Sequence, residues 1–160
     1  MVVSNKFILI MLFLALTLLL INITTISAEI QVPSSINQAN ELNSPSDWIS
    51  EDQIKVYDDK VVLELEGTTW ASFTDTNSMD PFLDETANAI EIMPESAKEI
   101  QNGDIISYQS KDSVIIHRVI YVGEDIEGTY YLVQGDNNNY PDPVKVRFNE
   151  VVGVLVAIIY

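Results

Sequence analysis

The sequence predicts a mainly β domain carried behind one transmembrane helix and a flexible linker. Three observations predict it. The chain opens on one long apolar block. A polar stretch rich in Ser, Asn and Pro follows. Beyond it, short runs of β-branched and aromatic residues alternate with Gly, Asp and Asn, which is a strand-and-turn texture.

The apolar block comes first. Phe7 to Ile23 reads FILIMLFLALTLLLINI, carries no charge, and has only Thr17 and Asn22 as polar residues. Counted on to Ile26 it spans 20 residues, about the number a helix needs to cross a bilayer. In lipid a helix satisfies its own backbone polar groups. Lys6 precedes the block and an acidic region follows, so the positive-inside rule puts the N-terminus in the cytoplasm. The expectation is a single-pass cell-membrane protein with an extracytoplasmic C-terminal domain. A cleavable signal peptide, cut after Ile26-Ser27-Ala28, is the competing reading. Ile26 is larger than the residue usually wanted there, and the run exceeds an h-region of about 7–15 residues. Both facts favour a retained anchor over residues 1–28. Either reading exports the rest.

Residues 29–50 (EIQVPSSINQANELNSPSDWIS) have no apolar period and read as a linker. The domain is expected over 51–160. Its strands are read at Val61–Leu65, Ile105–Tyr108, Val114–Val122, Tyr130–Val133, Val144–Phe148 and Val151–Tyr160. Turns are read at Asn102-Gly103-Asp104, Gly123-Glu124-Asp125, Gly128 and Gly135-Asp136-Asn137-Asn138. Helical turns are expected only at Asp84–Glu91 and Glu95–Gln101. The last ten residues are too few to span a membrane, so they are read as a buried strand or one whose outer face touches lipid. A small barrel or a pair of packed sheets is the expected architecture.

Composition narrows the chemistry. There is no cysteine, hence no disulfide, thiol nucleophile or cysteine-ligated metal. There is one histidine, which excludes sites needing two imidazole ligands. The chain holds 8 bases and 24 acids, net −16, and Lys6 is the only charge in residues 1–28. The remainder is therefore at −17, which argues against nucleic acid as a partner.

Three clusters carry the remaining possibilities. His117 sits mid-strand in VIIHRVI. A lone histidine is usually a satisfied sheet residue, but a neutral imidazole can also take a proton from a serine hydroxyl. Asp75-Thr76-Asn77-Ser78-Met79-Asp80-Pro81 ends an apolar run in a polar turn. There Ser78 is a candidate nucleophile, with Thr76 and the Ser78 amide as oxyanion donors. The plain alternative is an ordinary polar loop. Gln134 to Pro143 is an Asx-rich turn whose spacing fails the EF-hand pattern. One of its carboxylates, Asp136 or Asp142, is a candidate to hold the His117 ring.

Together these clusters resemble signal peptidase I, in its archaeal and endoplasmic-reticulum branch. Ser-Met-Asp-Pro at 78–81, Ile-His-Arg-Val at 116–119 and Gly-Asp-Asn-Asn at 135–138 stand in the family's order and rough spacing. The resemblance covers about residues 70–160 plus the anchor. It implies a membrane-bound serine endopeptidase with a signal-peptidase-like β-domain and no cofactor. Its implied partners are the bilayer and the leader peptides of exported preproteins, cleaved after small residues. Ser78 matches the nucleophile, His117 the general base, Asp142 the aspartate supporting it, and Asp136 a second functional aspartate. Thr76 falls where the family often has serine. The acidic segment Phe82–Asn102 and the long linker depart from a minimal signal peptidase and point to a specialised processing enzyme.

Two other classes are weighed beside it. One is a non-catalytic extracytoplasmic binding module on the same fold. The other is an acidic, cation-responsive surface protein. Repressor-type self-cleaving proteases fit poorly, because they use a lysine base and only Lys111 lies nearby.

Overall fold

The computed structural model describes residues 41–160. The anchor expected over 1–28 and the linker up to residue 40 lie outside the described residues. Among the described residues no helix is long and apolar enough to cross a membrane.

The described chain is mainly β. Strands β1 (Ile54–Val56) and β2 (Val61–Leu63) pair as a separate hairpin. Seven more form one antiparallel sheet: β3 (Thr68–Ser72), β4 (Asn88–Ile92), β5 (Ile105–Ser110), β6 (Ser113–Asp125), β7 (Gly128–Gln134), β8 (Val146–Arg147) and β9 (Val151–Ile159). Their order across the sheet is β3-β4-β9-β5-β6-β7-β8. The hydrogen-bonded order is therefore one continuous sheet, where a small barrel or two packed sheets were expected. Register shifts in β9 pairing and at Val119/Tyr121 of β6 bend it.

The core follows from the pleat of the central strands. Ile106, Tyr108 and Val154 join Val119, Tyr131, Val133 and Val146 in one cluster. Their chain neighbours Ile105 and Leu155 join Met79, Leu83, Ala87 and Ala89 in another. Successive residues of a strand point to opposite faces, so β5 and β9 feed both clusters. Ile105 to Tyr108 is accordingly buried at every position, Ser107 included.

Four expectations are corrected. Asp84–Glu91 is not helical; it runs into β4, where Ala89 and Glu91 are buried in alternation with half-buried neighbours. Glu95–Gln101 holds a single turn, tied by Glu99 to the Glu95 amide and the Ser96 hydroxyl. Val144–Phe148 shrinks to β8, because Phe148–Glu150 turns into a 3-10 helix. Finally, the end of the stretch read as linker is strapped to the domain. The buried Asp104 carboxylate accepts from the Ser46 amide at 2.7 Å, the Trp48 indole at 3.1 Å and the Gln101 amide at 2.8 Å. Gly103 is needed beneath this strap: its φ is +104°, and a Cβ there would lie 2.0 Å from the Ser44 carbonyl oxygen.

Glu91 is an acid in the core, 2% exposed, sharing a hydrogen bond with the Ser107 hydroxyl. Burial pushes its carboxyl above the usual carboxylate range, and the Ser107 contact offsets part of that. Between the unfolded and folded titrations the folded state holds the extra proton, so this group's contribution to stability falls as pH rises. Glu91→Gln should therefore gain on the wild type in urea unfolding from about pH 4 upward, levelling once the folded carboxyl has ionised. A difference that shrinks with rising pH would contradict this.

Candidate active site

Ser78 lies in a tight turn made by its neighbours. Asn77 adopts φ +56°, a left-handed conformation that Asn tolerates. Amides of Phe82 and Leu83 close onto the Met79 carbonyl at 3.2 and 3.1 Å. Met79 and Leu83 are buried, at 2% and 3% exposure, and pin the turn to the core. Ser78 itself is half-buried, and its Oγ lies 3.3 Å from the exposed Thr76 Oγ1.

The turn forms one part of the lining of a cleft of about 370 Å³, and residues 114–117 of β6 form another. Ser78, Thr76 and His117 all line it, with Phe73, Leu83 and Ile116 as apolar surface. A second, more apolar cavity of about 430 Å³ lies between Trp48 and residues 155–158 of β9. Its lining offers Ser46 and Asp47 but no imidazole, whereas the first holds both His117 and Ser78.

His117 is 6% exposed and faces Ile106 across the β5–β6 ladder. Its Nδ1 lies 2.6 Å from Asp142 Oδ2. Donation from Nδ1 to the carboxylate leaves the lone pair on Nε2. The Asp142 amide donates to the Val133 carbonyl at 2.8 Å, fixing its loop to the end of β7. Gly135 lies where the pieces meet. A Cβ there would fall 2.5 Å from the Ser78 carbonyl oxygen and 2.9 Å from His117 Nε2. The Asn137 amide donates to that same Ser78 carbonyl at 2.9 Å, and the Asn137 side chain donates to the Asn77 carbonyl at 2.9 Å.

The two candidate aspartates separate clearly. Asp142 holds the imidazole. Asp136 does not reach it; both its oxygens take the Arg118 guanidinium, at 2.8 and 2.6 Å. Arg118 also donates to the carbonyls of Asn43 and Gly103, at 3.1 and 2.9 Å. Asp136 is thus a cohesive group next to the site. Among the described residues Ser78 Oγ takes Thr76, not His117, as its side-chain hydrogen-bond partner. No group of three or more acidic or histidine side chains among them is arranged to hold a metal ion.

The sequence motifs contain Gly135 and Arg118 without revealing what they do, and sequence reasoning missed Tyr108, whose hydroxyl donates to Asp142 Oδ2. Strand alternation offered a signal for Tyr108, because it lies two residues from Ile106, the partner of His117. Nothing local marks Gly135 as the point of closest approach. No family model matches the chain, and no curated protein matches it.

Three substitutions test this geometry. Gly135→Ala should cost about 1–3 kcal/mol in urea unfolding, since the methyl meets backbone that cannot rotate away. Asp136→Asn leaves a buried guanidinium without its carboxylate and should cost about 3–5 kcal/mol. It should leave the low-field His117 Nδ1 proton in the NMR spectrum, whereas Asp142→Asn should abolish it.

Proposed function

We propose that this domain is a serine endopeptidase of the signal peptidase I type, anchored in the membrane by its N-terminal segment. It removes leader peptides after small residues, outside the cytoplasm. The observation that carries this is the two-sided setting of His117. Asp142 stands at Nδ1, while Nε2 and the Ser78 carbonyl oxygen both lie within 3 Å of where a Gly135 Cβ would stand. The order of the three sequence motifs supports the same class.

In the proposed reaction Nε2 takes the Ser78 proton as Oγ bonds to the scissile carbonyl carbon. The Ser78 amide and the Thr76 hydroxyl receive the developing oxyanion. Asp142 stabilises the imidazolium, which then protonates the leaving amine as the C–N bond breaks. Water, deprotonated by Nε2, attacks the acyl carbon and releases Ser78. Before this, the Ser78 hydroxyl must leave Thr76 for Nε2. That same pairing with Thr76 favours the second reading, a binding module without hydrolysis on the same fold.

The full chain in lipid vesicles, given a model leader peptide and a fluorophosphonate probe, separates the two. The enzyme reading expects cleavage and labelling at Ser78. Ser78→Ala and His117→Ala should each lose at least about 10³-fold in cleavage. Absence of both label and cleavage in the wild type supports the binding module.

A further inference from the structure

The structure carries a second buried tyrosine hydroxyl whose partner is not a backbone carbonyl. Tyr131 is the ordinary case: it is fully buried, its hydroxyl donates to the Ala97 carbonyl at 2.6 Å, and burial pushes it up to about 12. Tyr108 is equally buried, at 2% exposure, with its ring in the same apolar cluster. Its hydroxyl donates to Asp142 Oδ2, the oxygen that also contacts His117 Nδ1.

The register explains how Tyr108 reaches it. Ile106 faces His117 and Tyr108 faces Ile115 across the β5–β6 ladder. Tyr108 and His117 are thus diagonal neighbours on one face, a spacing that an aromatic side chain spans. On its other side β5 shifts register with β9 between Ser107 and Tyr108, a device that re-aims a side chain. A carboxylate oxygen has two lone-pair sites. Tyr108 and His117 together use both on Oδ2, so the carboxylate is fixed in its rotation about χ2.

We infer that Tyr108 is a positioning residue: its hydroxyl holds the Asp142 carboxylate on His117 Nδ1 and so fixes the imidazole tautomer with its lone pair on Nε2. Burial first, and the Asp142 contact second, hold the phenol protonated well above the usual tyrosine range. The hydroxyl is therefore a donor at neutral pH. The benefit to catalysis rests on the serine-endopeptidase reading, but the positioning itself does not.

The chain holds one histidine, so its imidazole nitrogen and Nδ1 proton resonances are unambiguous. In the full chain, wild type should show the Nδ1–H tautomer with a low-field, exchange-protected proton. Tyr108→Phe keeps the ring and should lose that protection and mix the tautomers, with the backbone amide spectrum otherwise intact. Fluorophosphonate labelling of Ser78 should slow about tenfold, the worth of one charge-assisted hydrogen bond. An unchanged tautomer and proton in a folded Tyr108→Phe overturns the inference. Should that variant not fold, 3-fluorotyrosine incorporation replaces it. The more acidic hydroxyl should move the Nδ1 proton resonance, and no movement overturns the inference. Wild type that shows the protected proton but takes no label sinks the peptidase reading and leaves the positioning role standing.

Discussion

The buried contact between Arg118 and Asp136 is the constraint on which the site's geometry depends. Both side chains are about nine-tenths buried, and the guanidinium is used on every side. It takes two carboxylate oxygens and two carbonyls, from Asn43, Gly103 and Asp136. Those partners come from three separate parts of the chain. Burying an ion pair brings little net stability in itself, because desolvation offsets the attraction. What it supplies is placement. The loop that starts at Gly135 and ends at Asp142 is fastened at its beginning by Arg118. The Gly135 position against Ser78 follows from that, while Asp142 is set on His117 by its own amide on the Val133 carbonyl.

The pleat of β6 divides labour between adjacent residues. His117 and Arg118 leave the strand on opposite faces, one to Asp142 and the other to Asp136, and both are buried. A histidine on an exposed strand would titrate freely and swing. Here the ring is held by Asp142 and closed in by Gly135, with β5 behind it. The long β6 also reaches the far end of the sheet. There Asp125 takes Arg147 and Lys145 at 2.9 and 2.8 Å, and Lys145 lies 4.1 Å over the Tyr130 ring. Three of the chain's eight bases, Arg118, Lys145 and Arg147, thus serve two fastening points.

Much of the fold was legible in the sequence because strands buried on both faces write themselves as β-branched runs. Ile105–Tyr108 and Val151–Ile159 are of this kind. β4 was not legible, since Glu91 occupies a core position and breaks the apolar alternation that marks a strand. The strap at residues 43–48 was hidden for the opposite reason. Its composition is that of a linker, and its attachment runs through the acceptors of Asp104 and a single apolar residue, Trp48, which packs on the core. At the site, residue types at the right order picked out Ser78, His117 and Asp142. Choosing between Asp136 and Asp142 needed the loop's path in space, because both lie within reach of β6 by sequence distance alone.

Asp104, unlike Asp125 and Asp136, has no cation for a partner. Its three donors are neutral N–H groups, and the residue is fully buried. Mobile ions screen exposed pairs such as Asp125 with Lys145, but they barely reach a contact sealed from solvent. Rising ionic strength therefore weakens the hairpin-end charges, relaxes the self-repulsion of a chain at −16, and leaves the strap untouched. The domain is built so that brine loosens its periphery and not its seams.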